Sequence, residues 1–186
     1  GNSKAAAERL LADVSERYSM RVCSLRYFNV IGCDSFPHAH DTGADNVVPR
    51  FVSASLSGKR MQIYGANHGT PDGTCIRDYV DVRDLATAHA LAAVRMTRHQ
   101  DVPHVINVST GVPISVRDIA NGVASASGVS KARIDVRDAH PADPAEVWAH
   151  PSPTLRSWGW ESRYSLADSI IAHLMSVTAQ GGPARD

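Results

Sequence analysis

Asp72–Leu85, which reads DGTCIRDYVDVRDL, constrains this chain more than any other stretch. A polar Asp-Gly-Thr turn leads into a short extended run, Cys75–Val82. Asp81, Arg83 and Asp84 then open an apolar, alanine-rich stretch that reads as a helix over Val82–Met96, with acidic residues at its start where they suit the helix dipole. One cation, Arg77, sits inside the extended run, where a solvated charge has little reason to be. A guanidinium fork on a stiff element can pair two phosphate oxygens at once. A structural ion pair with Asp78 or Asp84 would also explain it, and the spacing leaves both readings open.

The flanking segments alternate short helices and strands, which argues for an α/β chain. Lys4–Tyr18 is rich in alanine and leucine, and Ala7, Leu10, Leu11 and Val14 fall on one stripe, so it reads as a helix capped by Asn2 or Ser3. Arg21–Phe28 follows as a buried strand with Asn29 at its end. Gly32–Asp45 is a polar loop. Its His38, His40 and Asp41 read as exposed loop residues rather than a metal site, because no fixed ligand set accompanies them. Val47–Leu56 is a helix with Pro49 in its first turn and Gly58 just beyond its end. Gln62–Tyr64 is a short strand and Gly65–Thr74 a turn-rich loop. Val105–Val108 is a strand, Ser115 caps a helix over Val116–Ser127 that Gly128 stops, and Ile134–Val136 is a strand. Ala139–Ala149 is proline-rich and irregular, Ser165 caps a last helix over Leu166–Thr178, and Gln180–Asp186 is a fraying tail.

Composition sets the outer limits. The chain has 186 residues, 43% of them hydrophobic, enough to bury a core. Lysine plus arginine and aspartate plus glutamate both number 19, so no global field argues for nucleic acid or a membrane surface as partner. No apolar run approaches the roughly 20 residues of a membrane span. Cys23, Cys33 and Cys75 are odd in number and form no metal pattern, which points to free thiols and a cytoplasmic, reducing setting. There is no GxGxxG or GxxGxxG, so these residues carry no dinucleotide cradle of their own.

Several short motifs occur in a set order: Ser3-Lys4, RYFN at Arg26–Asn29, NVVP at Asn46–Pro49, IYG at Ile63–Gly65, DGTCIRDYVDVRDLA at Asp72–Ala86 and PADPA at Pro141–Ala145. Their order and gaps resemble the UDP-glucose 4-epimerases, which are extended short-chain dehydrogenases/reductases. The resemblance covers nearly the whole chain, and RYFN and DGTCIRDY are its most specific parts. It implies a Rossmann-type α/β fold, NAD as cofactor, and a UDP-sugar bound between a Rossmann domain and a smaller substrate domain. It also implies that a tyrosine in a Tyr-x-x-x-Lys pair removes the proton from the sugar 4-hydroxyl. NAD takes and returns the C4 hydride, which no side chain can do.

Carried over residue by residue, the resemblance implies that Lys4 is the lysine of that pair, holding the nicotinamide ribose and favouring phenolate. The tyrosine would immediately precede Gly1. Phe28 would meet the nicotinamide end of NAD. Asn29, Asn46, Val47, Gln62, Tyr64, Arg77, His140 and Asp143 would bind the UDP-sugar: Asn29 and Arg77 at the diphosphate, Asn46 and Val47 at a helix start, Gln62 and Tyr64 at uracil, and Asp143 at the uridine ribose. His140 stands where the family has an arginine, and His150-Pro151-Ser152-Pro153 replaces Asp-x-Ser-Lys. The expected organisation is a Rossmann remnant over 1–31, a mainly substrate-binding domain over 32–179 and a tail over 180–186, the C-terminal part of a longer protein. The complete protein is expected to interconvert UDP-glucose and UDP-galactose in galactose metabolism, as a homodimer through the helix that carries Lys4, while this portion alone is expected to be inactive. The alternatives are a related sugar-nucleotide dehydratase, decarboxylase or epimerase, or a degenerate non-catalytic binding or dimerisation module.

Overall fold

The computed structural model describes residues 1–34 and 46–179. Most of the loop expected over Gly32–Asp45, with Pro37, His38, His40, Asp41 and Gly43, lies outside the described residues, as does the tail 180–186.

Helix α1 (Asn2–Tyr18) starts earlier than its sequence suggests: Gly1 is the cap residue, and neither Asn2 nor Ser3 caps it because both already lie inside the helix. The helix buries no residue. It is tied to the next element by Arg26, whose Nε and Nη2 donate to Glu8 at 2.8 and 2.5 Å. Strand β1 (Ser24–Tyr27) pairs in parallel with a later strand, Val105–Val108.

The expected strand Arg21–Phe28 is shorter than its apolar run, and Asn29 does not end it. Asn29 opens a second strand, β2 (Asn29–Ile31), because its N–H is taken by Asp78 O at 3.1 Å, which draws the backbone toward a different partner. The extended run Cys75–Val82 is likewise not one strand. It divides at Asp78 into β4 (Ile76–Arg77) and β5 (Tyr79–Asp81). Before the break, β4 lies between Ile114–Ser115, antiparallel, and Glu146–Val147, parallel. After it, β5 pairs in parallel with β2.

Between these come α2 (Val47–Leu56) and β3 (Met61–Tyr64). Asp81 caps α3 (Val82–Thr97) by accepting the Arg83 N–H at 2.9 Å. Then follow β6 (Val105–Val108), β7 (Ile114–Ser115) and α4 (Val116–Ala126), whose capping box pairs Ser115 with Asp118. Strand β8 (Ile134–Arg137) pairs in parallel with β3. The proline-rich segment is not wholly irregular: it contains β9 (Glu146–Val147). A short helix not foreseen in the sequence, α5 (Pro153–Ser157), starts at Pro153 after the Ser152 cap and buries Leu155. The chain's last described element is α6 (Leu166–Ala179).

Two apolar cores follow from this order. In one, Val80, Leu85, Ile106, Val108, Leu155 and Trp160 join β5, β6, α3, α5 and the turn after α5. In the other, Val48, Phe51 and Val52 of α2 meet Met61 and Ile63 of β3, Ile119 and Val123 of α4, and Ile170 of α6. The stretch Asp72–Leu85 runs between them, and its aspartates fix it there. Asp84 is buried and accepts the N–H groups of Arg163 and Tyr164 and the hydroxyl of Ser162. Asp81 accepts from both Arg83 and the Ser169 hydroxyl of α6.

Candidate functional site

Where β2 and β5 run side by side, the start of α2 and one face of α6 close around a cleft of about 580 Å³. Phe28 and Asn29 line it from the β1–β2 kink, Asn46 and Val47 from the start of α2, Tyr79 from β5 and His173 from α6. The kink explains the first pair: had the strand run straight on, Asn29 would have stayed in the ladder with β6. The second pair sits at a helix N-terminus. The N–H groups of Val47 and Val48 precede the first intrahelical bond, Arg50 N–H to Asn46 O at 3.1 Å, and Pro49 has no N–H to offer. Asn46 is the cap residue in extended conformation, yet its side chain does not cap the helix. Such an end favours an anion.

Four of the expected site residues thus meet in one cleft. Tyr79 and His173 also line it, and neither was singled out from the sequence. Tyr79 was legible in principle, as the third residue of Arg77-Asp78-Tyr79. His173 lies on a helix with no motif, and only packing brings it here. Burial pushes the Tyr79 phenol up to about 12, although the Arg77 charge pulls the other way. Tyr79 is therefore protonated at neutral pH, a hydrogen-bonding group rather than a base.

The other expected residues are not in its lining. Arg77 of β4 is half-buried, and its Nη1 donates to Ile76 O at 2.8 Å and Ala145 O at 3.3 Å. Neither ion pair considered from the sequence forms. The Asp78 carboxylate is taken by Thr110 and Gly111, the Asp84 carboxylate by Ser162–Tyr164, and among the described residues Arg77 has no ion pair. Through Ala145, Arg77 adjoins the segment holding His140 and Asp143. These two form a turn: Asp143 N–H donates to His140 O at 3.0 Å, and His140 Nδ1 accepts the Ala142 N–H at 3.3 Å. Gln62 and Tyr64 stand on the exposed side of β3, with the Tyr64 hydroxyl donating to Gln62 Oε1 at 3.3 Å. Lys4 is exposed in the first turn of α1.

The turn that carries β4 is held by Asp72, which accepts the N–H and hydroxyl of Thr74 at 2.8 Å each. Burial raises the Asp72 carboxyl, but hydrogen bonds from Ser115 and Thr74 outweigh it and leave the group below its ordinary range. Chemically, the assembly offers amides, a helix N-terminus and a neutral phenol in one cleft, and outside its lining a guanidinium with no ion pair among the described residues and an exposed aromatic ring on a strand. That set suits binding of a polar, anionic ligand with a planar part.

The chain is 35% identical over 183 residues to a probable UDP-arabinose 4-epimerase of Arabidopsis thaliana, covering 91% of this chain and 43% of that one. It is 33% identical over 181 residues to a UDP-glucose 4-epimerase of Azospirillum brasilense, covering 95% and 51%. The chain thus spans about half the length of these curated relatives. Among solved structures, the UDP-glucose 4-epimerase of Stenotrophomonas maltophila with bound NAD and formylated UDP-arabinopyranose superposes with a TM-score of 0.84 at 27% identity, over 96% of this chain and 54% of that one. The α/β fold with its parallel strand pairs is therefore that of the Rossmann-type epimerases. No helix among the described residues is long and apolar enough to cross a membrane. Residues 1–109 match the family described as NAD dependent epimerase/dehydratase, and the chain belongs to it.

Proposed function

We propose that these residues form the nucleotide-sugar-binding portion of an NAD-dependent UDP-sugar 4-epimerase, and that the complete protein interconverts UDP-glucose and UDP-galactose. The observation that carries this reading is the convergence of Phe28 and Asn29 with Asn46 and Val47, two segments far apart in sequence, on one cleft at the start of α2. In it, Asn29 and the α2 N-terminus hold the diphosphate; Arg77 and Asp143, which stand outside its lining, take the diphosphate and the ribose. Gln62 and Tyr64 take the base.

NAD, held at its nicotinamide end by residues of this chain, would supply the hydride acceptor for the sugar C4. Of the present residues, Lys4 and Phe28 fit its nicotinamide end. Phe28 lines the cleft, and Lys4 lies exposed at the start of α1, the helix tied to β1 through Glu8 and Arg26. Lys4 holds the ribose and its charge favours an ionised tyrosine beside it. Tyr79 does not serve as that base, because burial keeps it protonated. The 186 residues taken alone therefore bind nucleotide without turning it over. The exposed apolar side chains of α1, Leu10 and Tyr18 among them, support α1 as the homodimer contact of the complete protein.

The test has two parts. Calorimetry on the 186-residue chain is expected to show UDP binding, and an epimerase assay on the same chain no conversion of UDP-glucose. Conversion by these residues alone, or no UDP binding, would overturn the reading. A second reading, a related sugar-nucleotide enzyme acting on another sugar, draws support from His140, which stands where the family has an arginine and accepts the Ala142 N–H through Nδ1. A substrate panel on the complete protein separates the two.

A further inference from the structure

Strand β3 is paired on one edge alone among the described residues. Met61 N–H donates to Arg133 O at 2.7 Å and Gly65 N–H to Arg137 O at 2.9 Å. Residues facing the partner alternate along a parallel ladder, so Met61, Ile63 and Gly65 face β8. Gln62 and Tyr64 turn their backbone groups to the open edge. That edge presents an acceptor, Gln62 O, beside a donor, Tyr64 N–H. An imide edge such as that of uracil, with N3–H next to a carbonyl, is complementary to this pair.

Arg50 interferes with it. The side chain leaves the first turn of α2 and its Nη2 donates to Gln62 O at 3.3 Å. Its guanidinium carbon also lies 4.9 Å from the centroid of the Tyr64 ring, over one of its two faces. While Arg50 stays, the Gln62 acceptor is occupied, which disfavours the uracil N3–H and spares the N3 acceptor of cytosine a clash with that oxygen. When it leaves, the acceptor–donor pair returns. The bond is long and Arg50 is only half-buried, so displacement is feasible but opposed.

We propose that Arg50 is a specificity-determining residue: by occupying the Gln62 carbonyl and one Tyr64 face, it weakens selection of uracil over cytosine at the β3 edge. The proposal rests on the nucleotide-sugar reading above and adds to it the group that sets base choice.

Calorimetry on the 186-residue chain tests it with UDP, CDP and inorganic pyrophosphate, comparing the unaltered protein with Arg50→Ala and Arg50→Met, each checked for folding by its thermal transition. The expected result is UDP binding about three- to tenfold tighter in both variants, the size of one modest hydrogen bond released. CDP binding weakens and pyrophosphate binding is unchanged. Equal weakening of all three ligands would make Arg50 a phosphate contact and overturn the proposal, as would an unchanged ratio of UDP to CDP affinity. If the unaltered chain binds neither nucleotide, the nucleotide-sugar reading itself fails. If it binds UDP and the ratio does not move, the Arg50 assignment alone fails.

Discussion

Asp78 and Gly111 are joined by a hydrogen bond of 2.9 Å from the glycine N–H to Asp78 Oδ2, while Oδ1 accepts both the N–H and the hydroxyl of Thr110 at 3.0 Å. The Asp78 side chain is wholly buried. This carboxylate is spent on the turn after β6, and the adjacent Arg77 has no acidic partner among the described residues. It is also the point where the backbone passes from the β4 sheet to the β2–β5 pair.

Replacing Asp78 removes three acceptor contacts at once. Asp78→Ala is expected to lower the unfolding free energy by about 3 kcal/mol, since buried donors are left unsatisfied. Asp78→Asn keeps one acceptor oxygen and should lose less. Urea denaturation of the two variants checks the order, and equal losses would contradict it.

Arg77 is expected to behave in the opposite way. It donates to backbone carbonyls only, so Arg77→Ala should change stability by less than about 1 kcal/mol. UDP affinity, by contrast, should fall at least about tenfold, because the charge-assisted contact proposed between Arg77 and phosphate is lost. Arg77→Lys should restore only part of it, since an ammonium cannot pair two oxygens at once. Calorimetry with UDP decides; an Arg77→Ala chain that binds as well as the original would remove the residue from the site.

Acid stability should report on Asp72. Its carboxyl titrates below the ordinary value of 3.8 in the folded state. The unfolded chain therefore takes up the proton first as pH falls. The stabilisation is complete above that ordinary value and is lost as pH drops through the depressed native one. Thermal transitions of the original chain should fall across this acid window, and those of Asp72→Asn should fall less steeply.

Tyr79 gives the alkaline counterpart. Its phenol titrates near 12 when folded, against 10.0 ordinarily. Stability from this group is fully present below about 10 and is lost as pH rises toward 12, because the unfolded form releases its proton first. An ultraviolet phenolate titration of the native chain should show a late step that Tyr79→Phe removes.

Much of this protein was legible before any fold was known. The helix over Val47–Leu56 and the strand over Val105–Val108 agree with the sequence reading to the residue. Both carry their own signals, a proline placed in the first turn and a short apolar run between polar residues. The same is true of α4, where the Ser115–Asp118 capping box is local chemistry. The motif order that places the chain among the epimerases needs no coordinates either.

The strand that opens at Asn29 and the break at Asp78 were not legible, because Asn29 reads as the end of Arg21–Phe28 and Cys75–Val82 reads as one extended run. The strands divide only because two different partners compete for their backbones, and those partners lie far away in the chain. Strands as short as β7 and β9 exist by pairing with β4 and have no propensity of their own to announce them.

The sequence by itself determined which residue types stand in which order: the aspartates and the arginine of Asp72–Leu85, the helix caps and the family. Only the tertiary structure decided which of them meet. It turned the Asp78 carboxylate toward Gly111, left Arg77 with no ion pair among the described residues, and laid Arg50 across Tyr64. It also brought His173 into the cleft beside Asn29. Hydrogen bonds and burial between distant segments are properties of the packed chain, and local spacing carries no record of them.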